Sequence, residues 1–269
     1  MYLANKKINI VSNNKSVSKE TERILKRKLE KSDFIVTENF EPNADLIICI
    51  GGDGSFLRTL HKYNFPDIPI IGINTGHLGF FQDLSPRELD EFIFKYKKGD
   101  YRIDEISPVE GLICTGNSCN EILGINEIVI KGFKSRTIHL NLSLAEDFLE
   151  KFSGDGILIS TPTGSTAYNY SLGGSIVDPR LNLLQITPIA PINTIAYRSF
   201  TSSIIVPEHA TIKIFPEYTY ENSVLIVTDG TEHRYNETVE VQVRLSELKI
   251  KLLRFKEYNF WNKVKEKFL

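Results

Sequence analysis

Five consecutive residues, Gly51-Gly52-Asp53-Gly54-Ser55, carry a clear chemical signal in this sequence. Glycine lets the backbone come close to a phosphate and adopt conformations in which N–H groups converge on an anion. The glycines alone do not explain Asp53, because a carboxylate repels a neighbouring phosphate unless it accepts a proton, holds a metal ion or orients a hydroxyl group. The turn therefore predicts phosphate chemistry in which Asp53 does one of these three things.

Two common glycine motifs do not fit this turn. A P-loop would read Gly-x-x-x-x-Gly-Lys-Ser/Thr, which the turn lacks, and a dinucleotide fingerprint starting at Gly52 would need a third glycine where the chain has Leu57. A structural explanation also stays open: a tight turn from strand to helix, in which Asp53 helps to cap the helix.

A second, longer stretch is rich in hydroxyl groups and runs from Ser153 to Tyr168, followed by Ser171-Leu-Gly-Gly174. Small polar side chains beside exposed backbone suit the ribose, phosphate and amide edges of a nucleotide. Asp155 would serve as a hydrogen-bond acceptor and Tyr168 as a stacking platform. A β-turn stabilised by Ser and Thr side chains explains the proline and glycine of this stretch, but not the density of hydroxyl groups.

The third signal is the pair Asn126-Glu127, which follows Gly124-Ile125. Asn can read an adenine edge and Glu can accept both hydroxyls of a ribose, as acidic residues do in other dinucleotide sites. Neighbouring residues of a strand point to opposite faces, so a shared ligand would require an irregular start to the strand. A surface turn is the plain alternative.

The first hundred residues alternate between strand and helix patterns, which predicts a mostly parallel sheet with helices on its faces. A strand is predicted at Asp45–Ile50 before the glycine turn, and its apolar run Leu46–Ile50 is typical of a strand covered on both faces. Ser16–Lys31 reads as an amphipathic helix. Ser85-Pro-Arg-Glu88 reads as a capping box with Pro86 at the first position of a helix that Gly99 ends.

After about residue 100 the pattern changes to short segments rich in β-forming residues. Thr137–Leu144 and Val239–Leu245 alternate with period two, which favours an all-β sandwich. We therefore predict an α/β domain over 1–100, a β-sandwich over 101–254, and a tail over 255–269 that packs back on the first domain.

Composition limits the classes of partner. The net charge of −2 gives no reason to expect nucleic-acid binding, and no apolar run approaches the ~20 residues that span a bilayer. The three cysteines fit no zinc pattern, and Cys49 lies in an apolar run typical of a buried thiol. Cytoplasm is the predicted location, without nucleic-acid or membrane partners.

The three signals, in this order, resemble the motifs of the NAD kinase family. The resemblance runs over nearly the whole chain. Its residues are the Gly-Gly-Asp-Gly turn at 51–54, Asn126-Glu127, and the Gly-rich Thr-Pro-Thr-Gly-Ser-Thr-Ala-Tyr segment within 155–174; Thr75-Gly-His-Leu-Gly-Phe80 and Asp229-Gly230 also fit.

The resemblance implies a kinase that transfers the γ-phosphoryl group of ATP, or a phosphoryl group of polyphosphate, to the 2′-hydroxyl of the adenosine ribose of NAD, giving NADP. It implies an α/β domain followed by a β-sandwich, homodimers or homotetramers, and Mg²⁺ or another divalent cation with ATP. Asp53 would be the catalytic residue. The implied phosphate-binding residues are Gly51, Gly52, Gly54, Ser55 and Arg58. The implied NAD-binding residues are Gly54, Phe80, Asn126, Glu127, Asp155, Thr163, Thr166, Ala167, Tyr168, Ser171, Ala190 and Tyr197.

Two positions depart from the family pattern. Ser153 stands where an Arg is often found, so the cation that faces the ligand phosphates is open, with Lys151 as a candidate. Ser55 replaces the usual Thr and keeps the hydroxyl. Two other functions stay open: a catalytically silent NAD(P)-binding sensor on the same scaffold, and a lipid kinase, which the lack of an amphipathic membrane-binding helix disfavours.

Overall fold

A computed structural model describes residues 5–195, 198–218 and 223–269 of the chain. The chain forms two compact units, Met1–Ile106 together with Lys249–Leu269, and Ser107–Leu248. The last strand of the chain thus belongs to the first unit, whereas the sequence pattern grouped 101–254 together. Pairing between segments far apart in the chain leaves no local pattern, which is why periodicity did not assign it.

Over its described residues, 5–106 and 249–269, the first unit contains one seven-stranded sheet and four helices. In the sheet, the strands are ordered β2-β1-β3-β4-β19-β6, with β5 beside β4. The strands are β1 (Lys7–Ser12), β2 (Ile35–Val36), β3 (Leu46–Gly51), β4 (Ile70–Asn74), β5 (Gln82–Leu84), β6 (Arg102–Ile106) and β19 (Ile250–Arg254). The helices are α1 (Ser16–Lys31), α2 (Asp53–Lys62), α3 (Leu89–Lys98) and α5 (Phe260–Phe268).

The centre of this sheet is parallel and buried, as the apolar run of β3 predicted. All six residues of β3 are buried, and β3 pairs in parallel with β1 and β4. Helix α1 packs on the sheet through Leu25 and Leu29, which are fully buried. Each such leucine contributes about 1.5–3 kcal/mol, so the amphipathic pattern of 16–31 is what attaches this helix.

One predicted helix boundary is wrong. Helix α3 begins at Leu89, and the residues from Ser85 to Glu88 form a turn before it. The side chain of Glu88 does accept a hydrogen bond from the backbone N–H of Ser85, as in a capping box, at 2.7 Å. The Glu88 N–H, however, bonds to the Ser85 carbonyl at 3.1 Å and closes a turn. Gly99 ends the helix in a left-handed conformation, as predicted.

The second unit consists of two six-stranded sheets, ordered β11-β10-β15-β18-β7-β8 and β14-β13-β12-β9-β16-β17. The strands are β7 (Val109–Thr115), β8 (Cys119–Gly124), β9 (Glu127–Gly132), β10 (Ile138–Leu144), β11 (Asp147–Gly154), β12 (Gly156–Ser160), β13 (Leu183–Ile189), β14 (Ile204–Pro207), β15 (Ile212–Glu217), β16 (Ser223–Thr228), β17 (Thr231–Asn236) and β18 (Thr238–Leu245). A short helix, α4 (Tyr168–Ser171), follows a 3-10 turn at Thr163–Thr166.

The two sheets share one apolar core, which confirms the predicted sandwich. Leu140 and Val241 of the first sheet pack in the same cluster as Ile130 and Ile157 of the second.

Two further features concern the cysteines and membranes. Cys49 is buried, as predicted, and Cys114 and Cys119 form a disulfide between β7 and β8. Among the described residues, no helix has the length and apolar character required to span a membrane.

Candidate active site

The glycine turn joins β3 to α2 as the sequence predicted. Strand β3 ends at Gly51 and α2 begins at Asp53, while the N–H groups of Ser55 and Phe56 bond to the Gly52 carbonyl at 2.8 and 3.2 Å. A Cβ atom on Gly51 would collide with the Ser55 side chain. Only glycine therefore allows the chain to turn this sharply between the strand and the helix.

Polar side chains surround the first turn of α2. The Ser55 hydroxyl accepts hydrogen bonds from Asn13 Nδ2 at 3.1 Å and from an Arg58 guanidinium nitrogen at 3.3 Å. The same guanidinium covers Gly54, where a Cβ atom would lie 3.2 Å from it. A helix N-terminus attracts anions through its free N–H groups and its dipole. The predicted phosphate-binding residues thus lie together, with Asn13 as an addition.

Asp53 is held by a clamp of backbone N–H groups. Phe80 N donates to Oδ2 and Phe81 N to Oδ1, each at 3.0 Å. Gly79 makes this approach possible, because a Cβ atom there would collide with Asp53 Oδ1. The Asp53 side chain is 29% exposed, and each carboxylate oxygen keeps a further lone pair. A fixed hydrogen-bond acceptor therefore remains within reach of a ligand.

The two phenylalanines whose N–H groups form the clamp, Phe80 and Phe81, bury their side chains in the first unit. The Phe80 ring is buried and packs against Phe260 and Phe268 of α5, with ring centroids 5.8 and 5.9 Å apart. Phe81 stacks on Phe56 at 4.6 Å. Phe80, which the resemblance placed among the NAD-binding residues, thus presents its N–H group to Asp53.

Lys263 of α5 anchors residues 80–83, the segment that begins with the Phe80 N–H donor. Its ammonium group donates to the carbonyls of Phe80 and Gln82 at 3.2 and 2.7 Å, and to Asp83 Oδ1 at 2.8 Å. Asp83 also pairs with the buried Arg254 at 2.5 Å. Burial lowers the pKa of Lys263, while the Asp83 carboxylate acts in the opposite direction. The tail therefore packs on the first unit through ionic and aromatic contacts.

In the second unit, Asn126 lies in a bend just before β9, and Glu127 is the first residue of that strand. This is the irregular strand start that a shared ligand would require. Asp229 holds the bend, because its carboxylate accepts hydrogen bonds from the N–H groups of Ile125 and Asn126 at 2.7 and 2.8 Å. Asp229 and Gly230 both have positive φ angles, 48° and 84°, in the two-residue turn between β16 and β17.

Asn126 and Glu127 are buried, with exposed fractions of 8% and 7%. Asn126 Oδ1 and Glu127 Oε2 have no hydrogen-bond partner among the described residues. Burial, and to a lesser extent the charge of Asp229, raises the pKa of Glu127 to about 8. Unpaired buried polar atoms are costly, so this pair has unused hydrogen-bonding capacity that a polar ligand would satisfy.

The Thr-Pro-Thr-Gly segment packs directly on this pair. Thr161 N bonds to the Asn126 carbonyl at 2.9 Å, and the Thr161 hydroxyl donates to the Ile125 carbonyl at 2.7 Å. A Cβ atom on Gly164 would overlap the Asn126 backbone. The structure thus brings together two motifs that lie more than thirty residues apart in the chain.

The predicted residues beyond this contact differ in exposure. Thr166 is buried, Thr163 and Ala167 are half-buried, and Tyr168 and Ser171 are exposed. Several of the other polar groups are structural: the fully buried Asn169 bonds to Thr187 at 2.6 Å and to the carbonyl of Ser165 at 3.4 Å. These internal bonds account for part of the polar density that the sequence showed.

Two predicted NAD-binding residues lie elsewhere in the second unit. Asp155 precedes β12 and Thr161 follows it, so the strand separates them by about 20 Å at ~3.3 Å per residue. Ala190 lies at the Asp155 end, because Asp155 N bonds to the Ile189 carbonyl at 3.0 Å. Within the unit, Asp155 and Ala190 are therefore not grouped with Asn126. Tyr197 lies outside the described residues.

Ser153, which stands where the family often has an Arg, is buried and has a structural role. Ser153 is fully buried, its N–H bonds to the Ser199 hydroxyl at 2.9 Å, and its own hydroxyl lies 2.8 Å from His139 Nδ1. Lys151, the candidate cation, forms an ion pair with Glu217 and is about half exposed.

Sequence reasoning missed the residues that hold the acidic groups: Gly79, Phe81 and Lys263 around Asp53, and Asp229 as the support of Asn126. Gly79 and Asp229-Gly230 were recognised as parts of motifs but were given no role. The other contacts act through backbone groups or join distant segments. Residue type and local spacing carry no signal for such contacts.

Comparisons with known proteins agree with both units. A family model for the ATP-NAD kinase N-terminal domain matches residues 2–101, and one for the ATP-NAD kinase C-terminal domain matches residues 125–255. The chain is 41% identical over 266 residues to an NAD kinase of Finegoldia magna, with 97% of each chain covered. It is 36% identical over 264 residues to NAD kinase 1 of Oceanobacillus iheyensis, with the same coverage.

Solved structures show the same fold. Yeast NADH kinase, crystallised with NADH, has a TM-score of 0.85 at 19% identity, with 98% of this chain and 87% of the yeast chain covered. An NAD kinase from Archaeoglobus fulgidus, in complex with ATP, has a TM-score of 0.77 at 25% identity, covering 96% of this chain and 98% of the archaeal one.

The chain combines a mostly parallel α/β unit, with a carboxylate at its glycine turn, and a β-sandwich unit; with these sequence matches they define a phosphotransferase of the kinase class. The relatives narrow the class further. The chain belongs to the NAD kinase family.

Proposed function

We propose that the chain transfers the γ-phosphoryl group of ATP to the 2′-hydroxyl of the adenosine ribose of NAD, giving NADP. The observation that carries the proposal is the clamped Asp53 carboxylate, which is fixed by two N–H groups beside the N-terminus of α2. Phosphoryl transfer depends mainly on positioning and charge stabilisation. Asp53 would orient the 2′-hydroxyl through a free lone pair and accept its proton.

The second unit would hold the adenosine and nicotinamide parts of NAD. Asn126 and Glu127 supply buried polar atoms that lack protein partners, which suits an adenine edge and ribose hydroxyls. Thr163, Thr166, Ala167, Tyr168 and Ser171 follow on the segment packed against this pair. Asp155, Ala190 and Tyr197 stay in the proposed NAD set through the family resemblance alone.

The first turn of α2 would hold the donor phosphates, with Gly51, Gly52 and Gly54 as backbone contacts and Ser55 and Arg58 as side-chain contacts. Mg²⁺ or another divalent cation would arrive with ATP and neutralise charge on its phosphates. A partly exposed carboxylate such as Asp53 fits this ion, since Mg²⁺ in such sites is bound by one or two carboxylates together with substrate phosphates. Inorganic polyphosphate is the alternative donor, and assays with each donor distinguish the two.

The test is a direct assay of the full chain. NAD, ATP and Mg²⁺ are incubated with the purified protein, and NADP is measured with an NADP-specific dehydrogenase; inorganic polyphosphate replaces ATP in a parallel series. We expect NADP with at least one donor. NAD binding without any NADP would instead identify a silent sensor, and phosphorylation of an acylglycerol but not of NAD would identify a lipid kinase.

Asp53→Asn tests the proposed base. A positioned general base contributes typically ~10²–10⁴-fold, so kcat should fall by about that factor while NAD affinity, measured by calorimetry, stays near that of the wild type. Asn can accept only one of the two clamp N–H bonds, so the free energy of unfolding should fall by about 1–2 kcal/mol, and a retained cooperative unfolding transition serves as the folding control. Near-normal turnover would remove Asp53 from the mechanism.

The remaining expectations stay predictions. They are assembly into homodimers or homotetramers, a cytoplasmic location, and the absence of nucleic-acid and membrane partners. Sedimentation of the purified protein, with and without NAD, tests the first of them.

A further inference from the structure

Two lysines on the C-terminal helix α5 differ in how much of their hydrogen-bonding capacity is used. Lys263 and Lys267 are four residues apart, so they lie on one face of the helix. Lys263 donates to three acceptors at 2.7–3.2 Å, which uses all three ammonium hydrogens. Its side chain is only 13% exposed. Lys263 is therefore a structural anchor with no capacity left for a ligand.

Lys267 is placed beside the catalytic carboxylate. Its ammonium nitrogen lies 3.9 Å from Asp53 Oδ2 and 4.8 Å from the centre of the Phe80 ring, and its side chain is 34% exposed. Among the residues that the structure describes, none forms a hydrogen bond with this ammonium group. Three N–H donors are thus available to a ligand that reaches Asp53.

An ordinary surface ion pair is the simplest alternative, and such pairs contribute little. Two features set Lys267 apart from that case. The separation of 3.9 Å exceeds hydrogen-bond distance, and Asp53 already accepts N–H bonds from Phe80 and Phe81. Helix α5 is also fixed, because Phe260 is buried against Phe80 and Lys263 is anchored. The Lys267 ammonium group is thus held near the Asp53 carboxylate without forming a hydrogen bond to it.

The position of Lys267 matches a requirement of the proposed reaction. A hydroxyl oxygen bonded to Asp53 lies about 2.7 Å from the carboxylate, and the phosphorus that it attacks lies close beyond it. The Lys267 ammonium group lies 3.9 Å from the same carboxylate, so a rotation of its flexible side chain would bring it to the oxygens of a phosphoryl group placed there. Charge on those oxygens is what a kinase must stabilise.

We propose that Lys267 binds the transferred phosphoryl group and acts as a further catalytic residue, an inference that rests on the proposed function. The 2′-oxygen bonds to the γ-phosphorus, the bond between that phosphorus and the bridging oxygen breaks, and ADP leaves with the electron pair. The proton of the hydroxyl passes to Asp53. Lys267 keeps its proton and neutralises charge on the γ-phosphoryl oxygens. The ligand it recognises is a terminal phosphoryl group, whichever donor carries it.

The experiment compares three variants of the full chain. Lys267→Ala should lower kcat/KM for ATP by about 10- to 100-fold, while KM for NAD stays within about twofold of the wild type. Lys267→Arg restores the positive charge and should recover most of the loss. Lys265→Ala is the matched control, because Lys265 is exposed on the same helix; it should leave kinetics and melting temperature unchanged.

Two results would overturn the inference while the proposed function stands. One is near-normal kcat/KM for ATP in Lys267→Ala. The other is an equal loss in Lys267→Arg and Lys267→Ala, which would mean that Lys267 acts by packing on Phe80.

A binding measurement separates failure of the inference from failure of the proposed function. Inorganic triphosphate is titrated into wild type and Lys267→Ala by calorimetry, which requires no turnover. If the wild type makes no NADP, the proposed function is wrong. If the wild type and Lys267→Ala bind triphosphate with equal affinity, the role inferred for Lys267 is wrong. Weaker affinity in Lys267→Ala supports it.

Discussion

The two units hold their acidic groups in opposite ways. In the first unit, Asp53 is partly exposed and its carboxylate receives one N–H bond on each oxygen. In the second, Glu127 is buried, one carboxyl oxygen has no partner among the described residues, and Asp229 is close enough to repel a charge. N–H donors and solvent favour a carboxylate, whereas burial beside another carboxylate favours the protonated acid.

The difference fits the two roles proposed for these residues. A general base must be positioned and reachable before it takes a proton, and Asp53 is both fixed by its clamp and partly exposed. A residue that recognises hydroxyl groups gains specificity from burial, because its polar atoms stay unpaired unless the correct ligand arrives. The backbone supplies the support in both cases: it donates to Asp53 directly, and to Asp229 beneath the Asn126-Glu127 pair.

After Asp53→Asn itself, the largest expected effect comes from disturbing the Asp53 clamp. In Gly79→Ala the new Cβ atom would collide with Asp53 Oδ1 and with the end of the Gln82 side chain. Both are ends of flexible side chains, so the fold should survive while the carboxylate moves. A displacement of about 1 Å can cost 10²-fold, and we expect a fall in kcat of that order in steady-state assays.

Gly76→Ala is the control for this variant. A Cβ atom on Gly76 would meet nothing within 4 Å, so turnover should equal that of the wild type. If Gly79→Ala also kept full activity, the close approach at Gly79 would have no role in placing Asp53.

The next effect concerns Glu127 and pH. The pKa of Glu127 is about 8 in the folded chain and 4.5 when unperturbed. The raised value means that its contribution to stability is fully present below about pH 4.5 and is lost as pH rises through 8. Between pH 5 and 8 the melting temperature of Glu127→Gln should therefore rise steadily relative to that of the wild type, by roughly 10 °C, and the difference should level off above pH 8. A difference independent of pH would contradict the buried, protonated acid.

A smaller effect is expected from Asp229→Asn. One carboxylate oxygen becomes an NH₂ group, which cannot accept from a backbone N–H, so the free energy of unfolding should fall by about 1–2 kcal/mol. Loss of the Asp229 charge should also lower the pKa of Glu127, since that charge helps to raise it. Urea unfolding and a carbon-13 NMR titration measure the two changes. Asp147→Asn, at an exposed position of the same unit, should change neither quantity.

The smallest effect is expected at Lys151. This lysine is about half exposed and paired with Glu217, and such a pair contributes typically about 0–1 kcal/mol. Lys151→Ala should therefore keep kcat/KM for ATP within about twofold of the wild type. A large loss in ATP kinetics would return Lys151 to the role of the missing cation and would weaken the case for Lys267.

The glycine turn was predictable in full because its constraints are local. The apolar run of β3, the glycines and the start of α2 follow one another within about ten residues, and each has a recognised pattern. The sandwich was predictable as a class, because alternation with period two survives in β10 and β18. The start of α3 was misread, since a Ser-x-x-Glu pattern fits both a capping box and an isolated turn.

The sequence by itself determined which functional groups are present and in what order. They are a carboxylate among glycines, an Asn-Glu pair and a hydroxyl-rich segment, in an order that resembles one family. Tertiary structure alone decided the state of those groups. The clamp on Asp53 comes from backbone groups 27 and 28 residues away, and it is fastened by Lys263 about 180 residues further along the chain. Charge, burial and free lone pairs depend on which distant segments meet, and no local spacing specifies that.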